Sequence, residues 1–120
     1  MGGHTLARHV GRSDAELALR LEREQISAAS TYTDRAAAER AVAAALAVND
    51  RKLSAWEHRS GRRPNLVLHY SDRADGAPLG RSLFRHQSAS VPCDRALVVL
   101  RWDERRDRAY VLTSYPDCNR

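Results

Sequence analysis

Two histidines and an arginine crowd the segment Gly2-Gly3-His4-Thr5-Leu6-Ala7-Arg8-His9-Val10-Gly11, among only a few apolar side chains. Imidazole is the side chain best able to exchange a proton near neutral pH, so His4 and His9 are candidates for general acid or base work. His58, His69 and His86 have no comparable frame and read as surface or hydrogen-bonded residues. Arg20 follows Leu17 by three residues and adjoins Leu21, which sets it beside the apolar stripe of a helix. An arginine there either snorkels to water or enters a cleft. Near the other end, Tyr110-Val111-Leu112-Thr113-Ser114-Tyr115-Pro116 reads as a strand. Strict alternation predicts Val111, Thr113 and Tyr115 on one face, with Tyr110, Leu112 and Ser114 on the other. Pro116 ends that strand and leaves two hydroxyls near a sheet margin.

These residue types suit RNA cleavage without a metal. The reaction needs a group to take the proton from a ribose 2′-OH as it attacks phosphorus, and donors on the non-bridging oxygens as charge builds. It also needs an acid for the departing 5′-oxygen. His9, Arg20, Thr113 and Tyr115 are of the right kinds, although spacing alone does not select them. The competing reading is a non-catalytic basic module whose arginines grip an RNA backbone and leave it intact.

Positioning such residues falls to helices in the first half and strands in the second. Ser13-Asp14-Ala15-Glu16 has capping-box spacing, and Leu17 and Leu21 follow at helical intervals to about Glu24. Thr33-Asp34 caps a second helix from about Arg35 to Ala47, and Asn49-Asp50 precedes a shorter one around Arg51 to Arg59. From Asn65 the period becomes that of a strand, through Leu66, Leu68 and Tyr70. Ser71 to Gly80 reads as a loop, and a second extended stretch lies near Arg81 to His86. Arg95 to Asp103 and Arg108 to Tyr115 form a hairpin across Glu104-Arg105-Arg106-Asp107. Helices followed by antiparallel strands predict an α+β domain.

Size and charge agree with this reading. The 120 residues suffice for one domain with a modest core, so residues 1–120 are read as a single unit. With 42% hydrophobic and 29% charged residues the balance is globular, and no apolar run approaches the roughly 20 residues that span a bilayer. Neither a secretory leader nor an acylation signal is visible at Met1-Gly2-Gly3, which predicts a soluble chain with no membrane partner. Twenty Lys+Arg stand against 15 Asp+Glu, and Lys52 is the only lysine. The excess is therefore guanidinium, whose planar fork of donors fits phosphate oxygens, although arginine-for-lysine replacement alone also produces such a balance. Cys93 and Cys118 form no C-x-x-C pair and lack zinc-ligand spacing, which argues against a disulfide framework or a structural zinc. One bridge between them is geometrically allowed, but they are assigned no role.

The chain resembles the bacterial RNase A-like toxin domains at the C-termini of contact-dependent growth inhibition effectors and related polymorphic toxins. The resemblance runs through Gly2-Gly3-His4-Thr5 and Arg8-His9-Val10-Gly11, then Ala28-Ala29-Ser30-Thr31-Tyr32-Thr33-Asp34, Trp56, and Tyr110 to Pro116. It implies a kidney-shaped fold of N-terminal helices and a bent antiparallel sheet around a cleft, without the disulfides of pancreatic ribonuclease. It implies catalytic roles for His9, Arg20, Thr113 and Tyr115, no metal and no cofactor. The implied partners are an RNA substrate, a cognate immunity protein and a larger secreted effector that delivers the domain to the cytoplasm of a target bacterium. His9 is expected to move the proton, Arg20 and Thr113 to steady the phosphate, and Tyr115 to donate to the leaving oxygen or stack on a base. His4 is the reserve for a second proton.

Overall fold

Ser13 begins the ordered helical part as the capping box requires: its Oγ accepts from the Glu16 amide at 3.1 Å, and its own amide donates to Glu16 Oε1 at 3.1 Å. The helix it starts, α1, spans Asp14–Arg23 and buries Leu17 and Leu21 against Ala29 and Leu83. The structure is a computed structural model that describes residues 9–71 and 78–118. His4, most of the segment that holds it, and the greater part of the loop expected between Ser71 and Gly80 lie outside those residues.

After α1 come β1 (Ala28–Tyr32), α2 (Arg35–Val48), α3 (Asp50–Glu57), β2 (Leu66–Ser71), β3 (Gly80–Phe84), β4 (Val91–Cys93), β5 (Arg95–Asp103) and β6 (Arg108–Pro116). The strands form two antiparallel sheets, ordered β1-β3-β4 and β2-β5-β6. Asp34 caps α2 by accepting from the Ala37 amide at 2.7 Å. The alanines of α2 have a packing reason. Ala37, Ala38, Ala41 and Ala45 are all buried, and their short side chains let the helix backbone approach both sheets. Trp56 on α3 joins Leu68, Val98 and Leu100 in the core under β2-β5-β6, and its indole N–H donates to the Pro64 carbonyl at 2.7 Å. The result is an α+β architecture, as expected. Among the described residues no helix is long and apolar enough to cross a membrane.

Two strands escape the sequence reading. β1 is buried along almost its whole length, so it shows none of the alternation that marks a half-exposed strand. β4 has only three residues. The face assignment in β6 also needs correction. Val99 pairs with Thr113 but Leu100 pairs with Val111, so one extra residue, Leu112, is accommodated as a bulge. Val111 consequently packs into the core beneath Leu100, on the side that also buries Ser114 and Pro116. Thr113 and Tyr115 remain together on the opposite face. A bulge cannot be read from one strand alone, because it is defined by the partner's register.

The cysteines are corrected too. Cys93 and Cys118 are joined in a disulfide, with Cα atoms 5.2 Å apart, so the fold carries one bridge where the resemblance implied none. It ties the end of β6 to β4 across a separation of 25 residues. Closing a loop of that size restricts the unfolded chain, and its loss is expected to cost about 3 kcal/mol. Thermal unfolding with and without reductant checks this: the reduced form, and a Cys93→Ala/Cys118→Ala variant, melt lower by matching amounts.

A buried hydrogen bond links the two sheets. Tyr32, fully buried on β1, meets Ser114 of β6 with Oη and Oγ 2.6 Å apart. Burial raises the Tyr32 phenol to about 12, with the Ser114 bond opposing the shift. The unfolded phenol ionises near 10, so this contribution to stability is whole below about pH 10 and declines as pH rises toward 12, by roughly 3 kcal/mol in all. Urea unfolding followed from about pH 8 upward is expected to show this fall in the native protein, and Tyr32→Phe to lack Tyr32's share of it.

Candidate active site

His9 is held by its backbone. The Tyr32 amide donates to the His9 carbonyl at 2.6 Å, the Gly11 amide returns a bond to the Tyr32 carbonyl at 2.9 Å, and Val10 bridges Tyr32 in parallel fashion. Thr31 Oγ1 accepts from the Arg12 amide at 2.9 Å and shares its own proton between the carbonyls of His9 and Tyr32. The chain then turns sharply toward Ser13 through Gly11, at φ +64°, a conformation that glycine adopts without the steric penalty of a Cβ. β1 thus lays His9, Val10 and Gly11 down like a short added strand and buries His9.

Helix α1 supplies the second group. Arg81 fixes its start, donating to Asp14 Oδ1 at 2.9 Å and to the Arg12 carbonyl. Arg85 fixes its end, donating through Nη2 to the carbonyls of Leu21 and Glu24 at 2.7 and 2.8 Å and through Nε to that of Ile26 at 3.0 Å. Between these clamps Arg20 does not snorkel outward. Its Nε donates to Glu24 Oε2 at 2.9 Å, and its Nη1 lies 3.4 Å from His9 Nδ1. A guanidinium has only donors, so this contact requires the lone pair on Nδ1 and leaves the proton of a neutral ring on Nε2.

The last strand closes the arrangement. The Tyr115 ring tilts at 47° to the His9 ring with centroids 5.7 Å apart. Burial raises the Tyr115 phenol above its ordinary range, the Asp117 carboxylate adds to that shift, and the charge of Arg20 opposes it. Tyr115 therefore stays protonated at neutral pH and can donate a hydrogen bond. His9, Arg20, Thr113 and Tyr115 all line one cleft of about 690 Å³, together with Glu24 and Asp117. Such a volume accommodates a nucleotide-sized ligand.

The structure therefore brings the four expected residues to one place, from the N-terminal segment, the first helix and the last strand. Sequence reasoning missed Glu24, although its position four residues after Arg20 on a helix was a readable signal. It also missed Asp117, which no pattern marked. Among the described residues no three His, Cys, Asp or Glu side chains are grouped so as to hold a metal ion.

Comparisons with known proteins give the family and the fold. Residues 3–116 match the family described as the bacterial CdiA-CT RNAse A domain. A solved structure, the CdiA-CT/CdiI complex from Y. kristensenii 33638, contains a chain that superposes with a TM-score of 0.83 at 26% identity, covering 95% of this chain and 98% of that one. A search of curated proteins finds no match.

Proposed function

Since the chain belongs to the bacterial CdiA-CT RNAse A domain family, we propose that it is a ribonuclease toxin that cuts RNA through attack of the ribose 2′-OH on the adjacent phosphorus, without a metal. The observation that carries this reading is the contact of Arg20 with His9 inside the cleft that Thr113 and Tyr115 also line. A phosphodiester there meets a forked cation and a hydroxyl on its non-bridging oxygens, from Arg20 and Thr113. His9 moves the proton, and Tyr115 donates to the leaving oxygen or stacks on a base. The formal charge of +5 favours approach of a polyanion.

The related solved chain is in complex with CdiI. By analogy this domain has a cognate immunity protein, for which an acidic surface over the cleft is the complementary design. It travels as the end of a larger effector and acts in the cytoplasm of the cell that receives it. Incubation of the purified domain with total RNA in excess chelator tests the activity. The proposal requires RNA breakdown that chelator does not suppress. Salt-sensitive binding with intact RNA recovered afterwards favours the basic binding module instead.

A further inference from the structure

Part of the cleft wall carries none of the groups described so far. It is the face of the β1-β3 ladder on which Ala28 and Ser30 stand beside Phe84 and Ser82. The register assigns that face. Ala29 and Leu83 point the other way and pack on Leu17 and Leu21 of α1, so Ser30 and its cross-strand partner Ser82 are turned toward the cleft. A pair inside a sheet is ordinarily filled by β-branched or aromatic side chains, which have more surface to pack. Two serines stand here instead.

Both are more than nine-tenths buried, with exposures of 8% for Ser30 and 2% for Ser82. The other buried hydroxyls, those of Thr31, Tyr32 and Ser114, are all bonded within the protein. The hydroxyls of Ser30 and Ser82 have no hydrogen-bond partner among the described residues. A hydroxyl withdrawn from bulk water without a partner costs free energy, and that cost is recovered when a molecule in the cleft bonds to it.

We propose that Ser30 and Ser82 form a subsite for one nucleobase of the RNA, next to the scissile phosphodiester. The proposal rests on the ribonuclease reading above. Thr31, adjacent to Ser30, bonds the His9 carbonyl, and Tyr32, one residue further, bonds Ser114 beside Thr113. At about 3.3 Å per residue along a strand, the serine pair lies within a nucleotide's length of the groups that meet the phosphate. Charge decides between a base and a second phosphate. Among the described residues that line the cleft, Arg20 is the only Arg or Lys, and it lies against His9 and Glu24. Arg81, next to Ser82, is spent on Asp14 and the Arg12 carbonyl. A phosphate at the serines therefore meets no cation. Neutral hydroxyls suit a base edge, since each can donate to a ring nitrogen or carbonyl and accept from an N–H. Cross-strand neighbours, with Cβ atoms about 5 Å apart, can converge on one such edge.

The test uses DNA oligonucleotides with a single ribose at the scissile bond, carrying each of the four bases, or none, first on the 5′ and then on the 3′ side of that bond. Wild type, Ser30→Ala, Ser82→Ala and the double variant are compared by kcat/KM, with thermal melting alongside. Wild type is expected to cut base-bearing substrates faster than the abasic one at one of the two positions. There each single variant loses about 3- to 10-fold and the double variant about 10- to 100-fold, with its rates on the four bases drawn together. Removing that base from the substrate erases the difference between variants and wild type. Melting stays within about 3 °C of wild type or rises, because no bond within the protein is lost. Equal wild-type rates with and without the base overturn the subsite, as do double-variant rates within about twofold of wild type on every base. So does an equal loss on the abasic substrate, or a fall in melting of more than about 3 °C, which marks the hydroxyls as parts of the fold. In all of these cases the substrate is still cut, and the ribonuclease reading stands. If wild type leaves both RNA and the oligonucleotides intact, that reading falls and the subsite with it.

Discussion

His9→Ala is expected to reduce RNA cleavage by about 10²- to 10⁴-fold at neutral pH, the usual weight of a positioned proton-transfer group. His9 is 6% exposed, so the loss of its imidazole also leaves a small void beside Tyr115. The associated cost in stability is about 1–2 kcal/mol, because the backbone bonds of His9 to β1 do not depend on its side chain. Activity and stability therefore separate. The rate from a single-turnover assay collapses while the urea midpoint moves modestly, and RNA binding by the variant persists. A variant that loses its fold together with its activity shows that the imidazole is chiefly a packing element. Arg20→Lys makes a useful companion, since it keeps the charge but loses the fork that reaches both Glu24 and His9.

Gly80→Ala is expected to produce the largest loss of stability in the molecule, about 3 kcal/mol or more. A Cβ at this position presses into the Thr31 carbonyl and comes within 2.7 Å of Pro116 Cγ and 2.9 Å of Tyr32 Cα. None of these is the free end of a flexible side chain. β1, β3 and the end of β6 meet here, and relief requires their backbones to part. The effect reaches the cleft, because Thr31 and Tyr32 carry His9 and Pro116 follows Tyr115. Chemical denaturation checks the prediction against Gly61→Ala. At Gly61, φ is +79° and no atom lies within 4 Å of the added Cβ, so only the backbone penalty of about 1 kcal/mol applies. Equal losses at the two positions contradict the packing account.

The local parts of this fold were legible in the sequence. The capping box at Ser13, the Asp34 cap and the helical spacing of Leu17 and Leu21 act over a few residues, and the structure realises each of them. The convergence of the chain's ends was legible only through family likeness, since nothing in the spacing of His9 and Tyr115 brings them together. What escaped depends on partners far along the chain. β1 hides its period because both of its faces are covered. The Leu112 bulge exists only relative to β5. The Cys93–Cys118 bridge depends on β4 lying beside the end of β6, and β4 is too short to announce itself. At the site, Glu24 was within reach as the helical neighbour of Arg20, four residues on.

The central claim is that this cleft directs a ribose 2′-OH against its own phosphodiester. The most direct measurement uses an RNA oligonucleotide cut by the domain in chelator, beside the same oligonucleotide with a single 2′-deoxy sugar on the 5′ side of the scissile bond, with the termini identified by mass. The account predicts a 2′,3′-cyclic phosphate facing a 5′-hydroxyl, and no cut at the deoxy position. Termini bearing a 5′-phosphate and a 3′-hydroxyl, or equal cleavage of the deoxy substrate, contradict it.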